Sequence, residues 1–190
     1  MTTTLTPARG TSLLSFFLLS LLAACASAPA WPATGPGPTP YTAEQIRAAH
    51  PDGTMLHFLV VAPGVPETVH VTRFTAGDAE GVTVESWTED RDENPTSEQR
   101  SSRSTWVELQ NHAVFDAART SREEARCHVG GADYDCWLYT VTDPGGSRTR
   151  ERFWFAHEHP GPPVLLVREV DGVEVRRMEL LEYCRGVGKR

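Results

Sequence analysis

Short runs rich in valine, threonine and aromatic residues dominate this chain from residue 55 onward. Eight such runs occur, at 55–62, 68–75, 82–88, 121–129, 134–142, 149–156, 164–170 and 173–183. Runs of this length and composition are typical of β-strands, and the short turns between most of them favour antiparallel pairing. Asp171-Gly172, between the last two runs, is a strong signal for a two-residue hairpin. The sequence therefore predicts a series of antiparallel strands.

Two short helices are predicted beside these strands, each beginning with a capping box, in which Thr is followed three residues later by Glu or Gln. The pairs are Thr42 with Gln45, and Thr105 with Glu108. Tyr41 and Ile46 occupy the positions of a hydrophobic staple around the first cap. The second helix is predicted over 105–115, after a polar stretch, 89–104, that is interpreted as a long loop.

The predicted fold class is α+β and mostly β: a curved antiparallel sheet or half barrel of about eight strands, with two short helices. Within 149–156, Phe153 and Phe155 fall on one face of the strand, and Arg150 and Arg152 fall on the other. Such alternation is typical of a sheet with one buried and one partly wetted face. Residues 41–190 are predicted to form a single domain, which is long enough for a substantial core.

An apolar run of about ten residues ends in Leu22-Ala23-Ala24-Cys25. It has the length of a signal-peptide core and is too short for a bilayer core of roughly 30 Å. The four residues resemble the lipobox of bacterial lipoproteins. This resemblance implies that 1–24 is a signal peptide and that Cys25 carries lipid. The alternatives are an ordinary secretory signal cut around 24–26 and a retained membrane anchor.

The next stretch, 26–40, contains five prolines and two glycines. Residues 25–40 are therefore predicted to form a lipidated tether that reaches up to roughly 45 Å. Trp31 is interpreted as a tether residue without a role, with a place in the membrane interface as the alternative. The lipoprotein resemblance implies a lipid-anchored location in the cell envelope. The uncharged Ala26 and Ser27 further imply the outer membrane, with the domain facing the periplasm.

The negative charge of the chain argues against partners that are themselves strongly anionic. The formal net charge is −7, and it becomes −8 when the leader with its single arginine is removed. Nucleic acids and anionic membrane surfaces attract positively charged proteins. The sequence therefore predicts that the domain binds no nucleic acid, and that its membrane contact runs through the lipid.

Three cysteines remain beside the one assigned to lipid, and an exported protein is permitted a disulfide. A hairpin centred between Gly131 and Ala132 would place Cys127 directly opposite Cys136. The sequence therefore predicts a disulfide between these two cysteines. Cys184 would then be a free or buried thiol, and its pairing with either of the others is the alternative.

His157 and His159 project to one side of an extended chain, a spacing that metal sites on strands use. A third ligand would come from elsewhere, such as His112 or His128. Because the pair runs directly into the proline-rich segment 160–163, it is interpreted as part of an exposed turn. No complete hydrolase motif is present either. The sequence predicts no cofactor, no metal and no enzyme, with a metal- or cysteine-dependent enzyme as an alternative.

Aromatic residues that share a strand face are the candidate ligand-lining residues: Trp137 with Tyr139, and Phe153 with Phe155. Their expected role is plain core, and the alternative is the lining of an apolar site on the concave face. The layout also resembles half barrels of the lipoprotein-carrier (LolA/LolB) type, whose concave face holds acyl chains. The leading hypothesis is a non-enzymatic envelope lipoprotein, a binding or structural module whose partner is an apolar ligand or an envelope protein. A lipid-binding half barrel is its first rival.

Overall fold

The structure is a computed structural model that describes residues 31–143 and 148–186. The predicted signal peptide, lipobox and Cys25 lie outside the described residues. The strands are β1 Met55–Ala62, β2 Val65–Thr75, β3 Gly81–Glu89, β4 Arg100–Thr105, β5 Thr120–Val129, β6 Ala132–Thr142, β7 Thr149–Ala156, β8 Leu165–Val170 and β9 Val173–Cys184. The helices are α1 Ala43–Ala49, α2 Trp106–Asn111 and a 3-10 turn at Ala117–Arg119.

All these strands belong to one antiparallel sheet in the order β4-β3-β2-β1-β9-β8-β7-β6-β5. The final strand returns to pair with β1, and this pairing joins the β1–β4 meander to the β5–β9 meander. The hairpin predicted at Asp171-Gly172 is confirmed, with Val170 paired to Val173 and both turn residues at positive φ. The predicted fold class, a mostly β chain with an antiparallel sheet and two short helices, is confirmed.

The sheet curves strongly toward its β5 edge. The turn that joins β5 to β6 lies against β9, although β5 stands four places from β9 in the sheet order. A Cβ atom on Gly130 would lie only 2.6 Å from the carbonyl oxygen of Leu180. Glycine at this turn is therefore required both by its φ of 56° and by the close approach of the β9 backbone.

Both predicted capping boxes are present. The Thr42 hydroxyl accepts a hydrogen bond from the Gln45 N–H, and the Glu108 carboxylate accepts one from the Thr105 N–H. The helices have only 7 and 6 residues, lengths at which an isolated helix is unstable in water. Packing therefore holds them, through buried Ile46 in α1 and buried Trp106 in α2.

The interpretation of 89–104 as a loop is wrong for its last part, because Arg100–Thr105 forms edge strand β4. This strand pairs with β3 alone, and most of its side chains are exposed. An edge strand of this kind needs only backbone pairing, so its sequence carries no alternating apolar pattern. The sheet consequently has nine strands among the described residues instead of the eight expected.

The described part of the predicted tether, residues 31–40, packs along the domain. The Trp31 indole N–H donates to the Ala117 carbonyl at 3.1 Å, and its ring meets Tyr139 edge-on with 5.8 Å between centroids. The Tyr139 hydroxyl donates to the Pro38 carbonyl at 3.0 Å. Trp31 therefore has a structural role, and the reach expected of a free tether does not apply to these residues.

Candidate functional site

An apolar cavity of about 210 Å³ lies between the sheet and the two helices. The sheet lines it with Phe74, Phe153, Phe155, Leu166 and Met178. The covering segments line it with Ile46, Leu109, His112, Ala113, Phe115, Gly161, Pro162 and Pro163. We call the side of the sheet that faces this cavity the helix face.

Strand register builds the sheet side of the cavity. Phe153 pairs with Leu166 across β7 and β8, and Leu166 pairs with Met178 across β8 and β9. Paired residues of neighbouring strands point to the same side of a sheet, so these three side chains form one continuous apolar row. On the helix side, Leu109 and Ala113 are four residues apart and both line the cavity.

The structure separates the four aromatic residues singled out as candidate ligand lining. All four share the helix face, because Tyr139 pairs with Phe153 and Trp137 pairs with Phe155. Only Phe153 and Phe155 line the cavity. Tyr139 is fully buried beside the ring of Phe115, at 5.5 Å between centroids, and has the position of a core residue.

Trp137 lies away from the cavity and contacts charged and aromatic neighbours. The guanidinium of Arg122 stands 4.4 Å from the centroid of its ring, and the His157 ring lies 5.1 Å away. A cation above an indole face is attracted by the electrons of the ring. The half-buried Trp137 is therefore held at the sheet surface by these contacts.

The predicted disulfide pair lies close together, but in a different register from the one expected. The turn falls on Gly130 and Gly131, with φ of 56° and 77°, so Cys127 pairs with Tyr134 and stands diagonal to Cys136. The two sulfur atoms are 3.4 Å apart as thiols. Their hydrogen bond lowers the pKa of Cys127 and raises the pKa of Cys136. The disulfide itself stays a prediction.

In the part of the chain that the structure describes, His157 and His159 belong to no group of three metal-ligating side chains. His157 lies 3.4 Å from the carboxylate of Glu124, and His159 packs on the ring of Tyr183 at 4.9 Å. His128 pairs with Asp133 at the β5–β6 hairpin, and His112 lines the cavity.

One group of at least three metal-ligating side chains occurs within 31–143 and 148–186: His57, Glu182 and Cys184. This group was not among the candidates predicted from the sequence. Glu182 and Cys184 are two residues apart on a strand, so the sequence alone places them on the same face. The pairing of their strand with the strand of His57 depends on residues far away in the chain, which sequence patterns do not show. A hydrogen bond to Glu182, together with burial, raises the pKa of the Cys184 thiol.

The architecture defines a class: an open, curved antiparallel sheet whose helix face encloses an apolar cavity. No protein-family model and no curated protein matches the chain. Solved structures do match. MucB in the Pseudomonas aeruginosa MucA/MucB complex has a TM-score of 0.52 and 10% identity over 77% of this chain and 56% of that one. A crystal structure of MucB has a TM-score of 0.50 and 11% identity over 77% and 58% of the two chains.

MucB in complex with MucA(peri) has a TM-score of 0.53 and 12% identity over 76% of this chain and 54% of that one. At such identities the likeness concerns the fold alone. The chain spans little more than half the length of these MucB chains. Neither α-helix among the described residues has the length and apolar composition needed to cross a bilayer.

Proposed function

We propose that this chain is a non-enzymatic binding protein of the cell envelope that takes an apolar, acyl-type group into its cavity. The observation that carries the proposal is the cavity itself, whose lining is apolar except for His112. A lining with a single polar side chain lacks the convergent acid, base and nucleophile that chemistry requires. Binding is therefore the function that this site supports best.

The size of the cavity limits what enters it. An engineered apolar cavity of about 150 Å³ stays dry and binds benzene, whereas sites for drug-sized molecules occupy about 300–1,000 Å³. At about 210 Å³, this cavity accepts one apolar segment rather than a whole large ligand. The end of an acyl chain has the right chemistry and cross-section.

Replacing Ala113 by phenylalanine is expected to weaken binding of a fluorescent fatty-acid probe by about 10-fold or more. The larger ring fills the cavity that the probe needs, and overpacking of this kind costs about 1–3 kcal/mol of stability at most sites. Probe titration and a melting curve are measured on the same preparations. Val107→Phe is the matched control, because Val107 lies on α2 just before Ala113 in the chain, is 57% exposed and does not line the cavity. Equal binding by both variants would refute the cavity as the binding site.

We further propose that lipid on Cys25 holds the protein to a membrane, in the periplasm-facing leaflet of an outer membrane. The support is the lipobox resemblance of Leu22-Ala23-Ala24-Cys25. Two or three acyl chains, each contributing about 0.8 kcal/mol per buried methylene, give durable attachment.

Cys25→Ala is expected to leave the signal peptide uncut or to release the protein into the soluble fraction. The change removes the thiol that takes the lipid, so the mass of the attached acyl groups should disappear. Detergent partitioning and intact mass measure both effects. Cys184→Ser is the control, since it removes another thiol and should leave partitioning unchanged. A wild-type protein without lipid at its N-terminus would rule out the anchor.

A protein partner is the second candidate. Two of the similar solved structures are complexes of MucB with MucA, and this likeness supports a protein partner. An envelope protein could insert one apolar side chain into the same cavity. If so, a partner that co-purifies from native membranes should be lost in Ala113→Phe and kept in Val107→Phe.

A further inference from the structure

Three side chains of different chemistry meet on the face of the sheet opposite the helix face. They are His57 of β1 and Glu182 and Cys184 of β9. One ligand atom from each, an imidazole nitrogen, a carboxylate oxygen and a thiol sulfur, lies within 4.8 Å of the other two. This cluster is separate from the cavity proposed to bind an apolar group.

A β-bulge creates the cluster. In the β1–β9 ladder Phe58 pairs with Leu180 but His57 pairs with Glu182, so Leu181 is an extra residue. Without it, Glu182 would share a face with the buried Leu180, because residues two apart on a strand point the same way. The extra residue moves Glu182 and Cys184 to the face of His57. Bulges often re-aim side chains in this manner at functional sites.

The imidazole of His57 has an unmet bonding site within the cluster. Its Nδ1 atom is buried and has no hydrogen-bond partner among the described residues. The nearest carboxylate oxygen, on Glu182, is 3.6 Å away, which is too long for a hydrogen bond. In the β1–β2 ladder, His57 is paired with Val71 of β2, whose side chain is apolar. A buried imidazole nitrogen without a hydrogen-bond partner, close to a carboxylate and a thiol, suits a metal ion.

We infer that His57, Glu182 and Cys184 bind Zn²⁺ with water in the fourth position. Zinc accepts histidine nitrogen, carboxylate oxygen and cysteine sulfur, whereas calcium and magnesium prefer oxygen alone. The Cys184 thiol gives up its proton to solvent as the zinc–sulfur bond forms. Thiolate and carboxylate then balance the charge of the ion. The Glu182 side chain is 62% exposed, so water reaches the open position.

The geometry needs only a small closure. Ligand atoms at about 2.0–2.3 Å from zinc lie about 3.5 Å apart in a tetrahedron. The present separations are 4.8 Å or less, so atoms move by about 1 Å. Rotation of the exposed Glu182 side chain supplies much of that movement. The bound ion would cross-link the C-terminal end of β9 to β1.

The test is zinc binding by the full-length protein, measured by elemental analysis after dialysis and by competition with a chelating dye. We expect about one zinc per chain and about 100-fold weaker binding in His57→Gln, Glu182→Gln and Cys184→Ser, since losing even a residue that orients a ligand costs about 10–100-fold. Two controls should bind normally. His70→Gln changes a histidine on the neighbouring strand that pairs with Phe58 on the helix face. Cys127→Ser/Cys136→Ser removes the other thiol pair.

A second measurement needs no variant of the site. Zinc should protect Cys184 of the wild-type protein from alkylation, as read by peptide mass spectrometry, and Co²⁺ in place of zinc should show a thiolate charge-transfer band. Protection of Cys127 and Cys136 instead, or zinc loss in their double variant, would place the metal at the wrong thiols and overturn the inference. Absence of stoichiometric binding by the wild type would overturn it as well.

Discussion

Tyr139→Ala is expected to lower the free energy of unfolding by about 3–5 kcal/mol, the usual cost of truncating a large buried aromatic side chain. Tyr139 is fully buried and lies edge-on to the ring of Phe155, with 5.3 Å between centroids. It also packs against Trp31, which holds the N-terminal segment on the domain. The substitution should therefore leave a cavity and loosen residues 31–40 together. Urea unfolding followed by tryptophan fluorescence measures both effects.

Tyr139→Phe is the matched control. It keeps the ring and removes only the hydrogen bond from the hydroxyl to the Pro38 carbonyl, a loss of about 0.5–1.5 kcal/mol. If Tyr139→Ala instead left stability nearly unchanged and abolished binding of the fatty-acid probe, Tyr139 would be a ligand-lining residue. The position of the side chain, behind the cavity rather than in its wall, favours the large loss of stability.

Local sequence signals predicted the elements that carry their own pattern. Met55–Ala62 and Thr149–Ala156 form strands over the limits expected from their composition, and both capping boxes formed where threonine precedes Gln45 and Glu108. These features depend on neighbouring residues and on burial of one face. Local sequence patterns are therefore sufficient to predict them.

Features that depend on distant pairing were not predictable. Strand β4 needs only the free edge of β3, and its polar sequence carries no sign of that partner. The His57 cluster depends on one extra residue at Leu181, which sequence patterns do not mark. Residues 31–40 were predicted to be a free tether because their prolines prevent regular structure. The ring of Trp31 instead packs on the ring of Tyr139, a contact between residues far apart in the chain.

The cavity was only the alternative to plain core for the aromatic residues, and the sequence located part of its lining. Sharing a strand face correctly grouped Phe153 with Phe155, but the same rule could not show that α2 covers these two and leaves Tyr139 in the core. Which members of an aromatic face line a cavity depends on where the covering helix stops. Residues 105–115 were expected to be one helix, whereas α2 ends at Asn111 and Phe115 then turns toward the cavity.

Acid is expected to destabilise the fold through His50. This side chain is 3% exposed, its ring centroid lies 4.3 Å from that of Phe74, and its Nδ1–H donates to the Ile46 carbonyl at 2.9 Å. The loop at Gly161 closes over it, where even a Cβ atom would lie 2.5 Å from the ring. Burial, with a smaller effect of His159, lowers the pKa of His50 from 6.5 to about 4.

The unfolded chain takes up a proton on this histidine near pH 6.5, while the folded protein resists protonation until about pH 4. Stability is therefore complete above pH 6.5 and is lost as the pH falls toward 4. Each pKa unit corresponds to about 1.4 kcal/mol, so the full loss is about 3 kcal/mol, with about 2 kcal/mol of it between pH 7 and pH 5. Urea unfolding at these two pH values measures the change.

His50→Gln should remove most of this difference, because glutamine keeps a donor for the Ile46 carbonyl and does not titrate. Its stability at pH 7 will fall, since the contact with Phe74 is weakened, but its profile from pH 7 to pH 5 should be flatter than that of the wild type by about 2 kcal/mol. His128→Gln is the control, as His128 is exposed at the β5–β6 hairpin beside Asp133. An imidazole titration by NMR that placed the pKa of His50 above 6 would contradict the argument, because a ring that ionises so readily is not buried under Gly161.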